Sequence, residues 1–192
     1  LDRPHPLGPM LSAILLPDPL ELLVLADTSG SMDAGSRANQ AQFLAALCGA
    51  LTPGDQINVA TCDVECEWAF DDLHPADEEH LGQAREFVAR RVSLGWTDLD
   101  RAFQSAMDRC GANTQVIYVG DGVVNTVDAD PVAFSKRLRR LCRDGTAALH
   151  PVSVGSSFEA IVLNTIASLG RGSVRQISGQ QTPQKVAAEL LH

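Results

Sequence analysis

The sequence predicts an α/β domain: a three-layer, doubly wound, Rossmann-like sheet that is mostly parallel, with one antiparallel edge strand. Three observations carry that prediction. Short apolar runs alternate with longer segments whose apolar residues recur at helical spacing, the pattern of strands joined by crossover helices. The runs at 21–26 and 115–120 each lead into an acidic turn, at Asp27 and Asp121, which places carboxylates at the carboxyl ends of strands. The strand candidates 56–62 and 65–70 lie too close together for a crossover, so they are expected to form an antiparallel hairpin at one edge.

Taken in order, residues 1–20 hold prolines at 4, 6, 9, 17 and 19 and lack periodicity, so they read as a connector from a preceding domain. Residues 21–192 are expected to form the folded domain. Leu22-Leu-Val-Leu-Ala26 is uninterrupted, as suits a strand buried on both faces. Phe43, Leu44, Leu47 and Leu51 give the first helix its apolar stripe, and Pro53-Gly54-Asp55 turns the chain into the strand 56–62. Leu81, Ala84, Val88 and Val92 mark the second helix, and Leu99, Phe103, Ala106 and Cys110 the third. After the strand 115–120, Phe134, Leu138 and Leu141 define a fourth helix, followed by a strand at 147–154. Phe158, Ile161, Ile166 and Leu169 mark a fifth helix, 173–177 a last strand, and Val186, Leu190 and Leu191 a last helix.

Composition narrows the function. A chain of 192 residues buries about 70% of its unfolded surface as one large domain. The net charge of −9 argues against a nucleic-acid partner, because phosphate binding is driven by Lys and Arg. No apolar run approaches the ~20 residues that span a bilayer; the longest, Met10 to Leu16, is closed by Pro17 and Pro19. The chain starts at Leu1, not Met, and is therefore expected to be an excerpt of a longer protein. Cys48, Cys62, Cys66, Cys110 and Cys142 are odd in number and form no C-x-x-C pair, which predicts unpaired thiols. Cys48, Cys110 and Cys142 fall on core-facing helix positions, while Cys62 and Cys66 have no assigned role.

The chemistry concentrates in Asp27-Thr-Ser29-Gly-Ser31, a carboxylate and two hydroxyls on a tight turn after a buried strand. Thr97, in Gly95-Trp-Thr-Asp-Leu99, and Asp121, in Tyr118-Val-Gly-Asp-Gly122, add a hydroxyl and a second carboxylate. In an open doubly wound sheet, ligands bind beyond the carboxyl ends of the strands, where strand order reverses. If the strands ending at Asp27 and Asp121 are neighbours, the five oxygen donors meet there. Two carboxylates balance a divalent cation, and neutral hydroxyls leave it electrophilic towards a further carboxylate from outside. Mg²⁺ fits best, with Mn²⁺ or Ca²⁺ as substitutes.

These residues resemble the metal-ion-dependent adhesion site of von Willebrand factor type A domains. Val24-Leu-Ala26 with Asp27-Thr-Ser-Gly-Ser-Met32, Gly95-Trp-Thr-Asp98 and Val119-Gly-Asp-Gly122 carry the resemblance, over residues 21 to about 192. Leu51-Thr-Pro-Gly-Asp-Gln-Ile-Asn-Val59 and Ile166-Ala-Ser-Leu-Gly-Arg-Gly172 are most similar to the domain of inter-alpha-trypsin inhibitor heavy chains and their bacterial relatives. In those a VIT domain usually comes before this one. The resemblance implies that Asp27, Ser29, Ser31, Thr97 and Asp121 bind the ion and that an acidic residue of a protein partner completes it. It also leans towards the cell envelope or extracellular space. Trp96 stands where the family usually has Gly, and Gly120 where Thr is common.

Two other classes stay open. One is a scaffold domain that keeps the fold without using a metal. The other is a haloacid-dehalogenase-like phosphatase, whose acidic motif Val119-Gly-Asp-Gly-Val123 resembles. That chemistry needs a second Asp two residues after the nucleophile, where this chain has Ser29, so a non-enzymatic domain is expected. Asp98 and Asp100 suit the first turn of a helix, where anions offset the dipole. Lys136-Arg-Leu-Arg-Arg-Leu-Cys-Arg143 reads as a solvated helix face, and His74 and His80 as surface residues with no partner at ligand spacing. Trp96 either packs or contacts a partner.

Overall fold

The computed structural model describes residues 19–92, 95–125, 129–142, 147–170 and 174–191; residues 1–18 of the expected 1–20 connector and the first residue of the 173–177 strand lie outside them. β1 (Glu21–Asp27) leads into α1 (Ala34–Ala50). Next come β2 (Gln56–Cys62), β3 (Cys66–Trp68), β4 (His74–Pro75), α2 (Glu78–Arg90) and α3 (Leu99–Met107). β5 (Thr114–Gly120), α4 (Pro131–Leu141), β6 (Ala148–Ser153), α5 (Ala160–Leu169), β7 (Arg175–Gln176) and α6 (Pro183–Leu191) complete the chain.

The sheet runs in the order β3-β2-β1-β5-β6-β7, with β4 also on β2. β1 pairs in parallel with both β2 and β5, so that Leu25 lies between Ala60 and Tyr118. The chain winds outward from β1 to β2, then resumes at β5 on the other side and winds out to β7. Strand order therefore reverses between β1 and β5, and a crevice opens beyond their carboxyl ends. β3 and β4 both join the outer edge of β2 antiparallel, so the expected hairpin is present with a second short strand beside it.

Period-two alternation sorts the central strand into two cores. Leu22, Val24 and Ala26 pack with Phe43 and Leu47 of α1, Ala84 of α2, and Val186 and Leu190 of α6. Leu23 and Leu25 pack on the other face with Phe103 of α3, Phe134 and Leu138 of α4, and Ile166 of α5. Side chains at helix N-termini satisfy amides that have no partner within the helix. Asp33 Oδ1 accepts from Ser36 N at 2.6 Å, Asp77 Oδ1 from His80 N at 2.9 Å, and Asp98 Oδ1 from Arg101 N at 3.0 Å.

Several elements differ from the sequence expectation. The strand expected at 65–70 is only three residues long. The buried Asn58 amide takes over beyond it, donating to the carbonyls of Phe70 and Asp72 and accepting from Phe70 N. α3 ends at Met107, so Cys110 lies past the helix, and Cys142 is the C-cap of α4; both are half-buried, and neither is an interior helix position. His74 and His80, expected on the surface, are half-buried: their rings bond to each other at 3.1 Å, and His80 Nδ1 bonds to Asp77 at 2.8 Å. Asp98 caps α3 and Asp100 lies in its first turn, both as expected, and Asp100 also forms a two-pronged pair with Arg137, both contacts at 2.8 Å.

Two predictions come from the packing. At Gly170, the C-cap of α5, a Cβ would overlap the Leu149 backbone of β6. A rigid strand cannot yield as a flexible side chain does. Gly170→Ala is therefore expected to lower the urea unfolding free energy by about 2–3 kcal/mol, the cost of overpacking a tight core.

His150 on β6 is 6% exposed, with Nε2 bonded to Gln115 at 2.9 Å. Burial, reinforced by nearby Arg175, pushes its pKa down from 6.5 to about 4. The unfolded chain then takes up a proton that the folded one refuses, so this contribution is present above pH 6.5 and is lost as the pH falls towards 4. Relative to His150→Gln, the wild type is expected to lose ~2 kcal/mol between pH 7 and pH 4.5, by denaturant titration. Parallel pH profiles for the two proteins would refute this.

Candidate metal site

β1 delivers Asp27 to the crevice fully buried, and a hydrogen-bonded turn follows directly. Asp27 Oδ1 accepts from Ser29 N at 2.9 Å, and Met32 N bonds back to Ser29 O at 3.2 Å. This brings the Ser29 and Ser31 hydroxyls within 2.9 Å of each other, one buried and one exposed. Arg37 of α1 braces the turn by donating to the carbonyls of Met32 and Ser29. Gln40 Nε2 donates to both Asp27 O and Val119 O at 2.9 Å, fastening α1 across the ends of β1 and β5.

The Thr97 loop is bonded both to this turn and to the loop after β5. Gly30 N donates to Gly95 O, and Gly95 has a φ of +115°, open to glycine and strained for other residues. Thr97 follows and is fully buried, and Asn125 N of the β5 loop reaches Thr97 O at 3.5 Å. Asp121 is 6% exposed, with Oδ1 accepting from Val123 N at 2.9 Å. The turn thus carries its hydroxyls between two loops that bring Thr97 and Asp121 to the same end of the sheet.

Charge is unbalanced here. Burial and then the neighbouring Asp121 carboxylate push the Asp27 pKa up to about 6. Among the described residues, no Lys or Arg is ion-paired with Asp27 or Asp121. Nor do three or more His, Cys, Asp or Glu gather anywhere as a metal cluster among those residues. The donors at this crevice are instead two carboxylates and neutral hydroxyls, the set a hard cation accepts. The two buried like charges fit a site built around such an ion.

Besides Arg37 and Gln40, sequence reasoning missed three participants. Tyr118, the only tyrosine of the chain, lies in the apolar run of β5 with nothing to distinguish it from a core residue. Its hydroxyl donates to Asp27 Oδ2 at 2.7 Å and accepts from Gly122 N at 3.1 Å, tying both acidic turns together. It also accounts for Gly120, because a Cβ there would overlap the Tyr118 hydroxyl and Asp27 Cβ. The other two are Asp63 and Arg91. Asp63 is fully buried, accepts from Arg91 Nε and Nη2 at 3.1 and 3.0 Å, and accepts from the Thr28 hydroxyl at 3.2 Å. Its carbonyl accepts from Asp98 N at 2.8 Å, so one residue supports the turn after Asp27 and the loop of Thr97. An Asp and an Arg this far apart in sequence give no local signal.

Outside the crevice, Trp96 is 65% exposed and Val92 77%. Trp96 therefore does not pack into the core. It lines a cavity of about 500 Å³ with Gly30, Ser31, Gly95, Asn125 and Ala129.

Known proteins share this fold. A von Willebrand factor type A protein from Catenulispora acidiphila superposes with a TM-score of 0.76 at 21% identity, over 90% of this chain and 42% of its own. Proximal thread matrix protein 1 from the mussel byssus, in a structure with a zinc-occupied MIDAS motif, gives a TM-score of 0.62 at 16% identity, covering 90% and 46%. At these identities the likeness is one of fold. Human inter-alpha-trypsin inhibitor heavy chain H4 is 27% identical over 117 residues, which make up 59% of this chain. The match spans only 13% of that relative's length. A sequence profile of the von Willebrand factor type A domain matches residues 20–176, and with the strand order and crevice described above, the chain belongs to that family.

Proposed function

We propose that this domain is a non-enzymatic binding module that uses a divalent cation, Mg²⁺ by preference, to hold an acidic residue of a protein partner. One observation carries this reading: Asp27 and Asp121 are buried near each other, and no basic side chain among the described residues is ion-paired with either. Asp27, Ser29, Ser31, Thr97 and Asp121 would hold the ion. Bound there, it would supply an electrophilic centre for a carboxylate oxygen from outside. Tyr118 and Gln40 fix the carboxylate end of β1, and the Asp63–Arg91 pair steadies the Thr97 loop. Exposed Trp96, which lines a cavity with Gly30 and Ser31, would form the rim of the contact and supply the specificity that an ion lacks.

One observation favours the scaffold reading: the Tyr118 hydroxyl donates to Asp27 Oδ2, which occupies part of that carboxylate's capacity to hold a cation. The two readings separate on metal dependence. On the binding reading, Mg²⁺ or Mn²⁺ raises the melting temperature, adding ~2.7 kcal/mol of stability at a hundredfold excess over Kd. Asp27→Ala removes the metal effect, and relief of the Asp27–Asp121 repulsion raises the stability of the metal-free protein. Melting curves of metal-free protein with and without millimolar Mg²⁺ test both points. Coincident curves would favour the scaffold.

Partner capture provides the second test. Pull-down from the native source in Mg²⁺ is expected to retain a partner that EDTA releases. Thr97→Ala is expected to lose at least tenfold in retention while the variant still unfolds cooperatively, because its hydroxyl adds little to the core. A partner held equally in EDTA, and by Thr97→Ala, would place binding on another face.

A further inference from the structure

Cys62 and Cys66 are left unused by the reading above, yet they face each other across the β2–β3 hairpin beside the crevice. The two residues are directly opposite in the antiparallel register, with free sulfurs 3.7 Å apart. Opposed residues of an antiparallel pair have Cα atoms about 4.5–5.5 Å apart, within the ~4.4–6.8 Å that a disulfide bridges. We infer that Cys62 and Cys66 are a modification site, a thiol pair that closes reversibly to a disulfide by exchange with a low-molecular-weight disulfide.

The pair has an attacking and a resolving member. Cys66 is half-buried and reachable from solvent, whereas Cys62 is fully buried. The bond from Cys62 lowers the Cys66 thiol pKa; burial opposes this, while Ser105, Arg109 and Arg101 add to the lowering. Burial raises the thiols of Cys48, Cys110 and Cys142 to about 11, so they are poor nucleophiles and serve as internal controls.

In the first step the Cys66 thiolate attacks one sulfur of the external disulfide. A mixed disulfide forms, and the departing thiolate takes up a proton. The bond to Cys66, and then burial, hold the Cys62 thiol well above its usual pKa; the mixed disulfide removes the first of these, and Cys62 gives up its proton as it attacks the adjacent Cys66 sulfur, expelling the second external thiol. Two protein thiols and one external disulfide become one internal disulfide and two external thiols. Only three residues separate the cysteines, so the bond restricts the unfolded chain little. Such a bond acts as a local, reversible brace and not as a staple for the fold.

The brace would act on the site. Cys62 O accepts from Thr28 N at 2.8 Å, and the adjoining Asp63 holds the Thr28 hydroxyl, Arg91 and the Asp98 amide. Closing the neck of the hairpin stiffens the residue that supports two of the crevice loops.

Oxidised glutathione added to the folded, metal-free domain tests this without reference to metal binding. Intact mass and peptide mapping are expected to show a Cys62–Cys66 link, the other three thiols free, and full reversal by dithiothreitol. Cys62→Ser is expected to trap a glutathione adduct on Cys66, and Cys66→Ser and Cys66→Ala to react at neither position. Amide exchange at Asp98 is expected to slow about tenfold on oxidation. A lasting adduct on the wild-type protein, an unreactive wild type, or a link involving another cysteine would overturn the inference. Unchanged Asp98 exchange in the oxidised protein would overturn the brace.

Discussion

Asp27 and Asp121 lie at the ends of neighbouring parallel strands, both withdrawn from water and unpaired with any basic side chain among the described residues. Like charges placed so are unfavourable, and the surrounding structure is organised to hold them despite that cost. Gln40 bridges the two strand ends, Tyr118 lends its hydroxyl to one carboxylate and to the amide after the other, and the Asp27 turn consumes its own amides. Each contact restrains the carboxylates without neutralising them. A fold selected for stability alone would gain by replacing either one with a neutral side chain. Their placement is therefore best understood through the crevice they shape.

The fold was largely legible because its signals are local. Uninterrupted apolar runs gave β1 and β5, helical spacing gave the six helices, and the short interval after 56–62 gave the antiparallel edge. The misses have a common cause. Side chains that replace backbone contacts are invisible to periodicity: Asn58 ends β3 early by bonding to Phe70, and Asp77 draws His80 towards His74. α3 stops at Met107 although Cys110 continues the apolar spacing, since spacing alone does not fix where a helix ends.

The candidate site was half legible. Asp27, Ser29 and Ser31 lie on one turn and announce themselves, and Thr97 and Asp121 follow from strand and helix boundaries. The residues that support them come from distant segments. Tyr118 reads as core, and the partnership of Asp63 with Arg91 exists only after α2 has packed. Gly120 marks the limit most clearly. In sequence it is a departure from the family pattern, and in three dimensions it is the space that the tyrosine hydroxyl occupies.

The two sheet margins also bear on solubility. β3 and β7, the outermost strands, are three and two residues long, and β4 beside β3 is two. Unpaired strand edges template the addition of foreign strands, and long flat ones seed aggregation. Here the long strands β1 and β5 are enclosed on both sides, and the Asn58 amide occupies backbone groups of Phe70 and Asp72 past the end of β3. A module displayed at high local density beside copies of itself is thereby guarded against edge-to-edge fusion of its sheets.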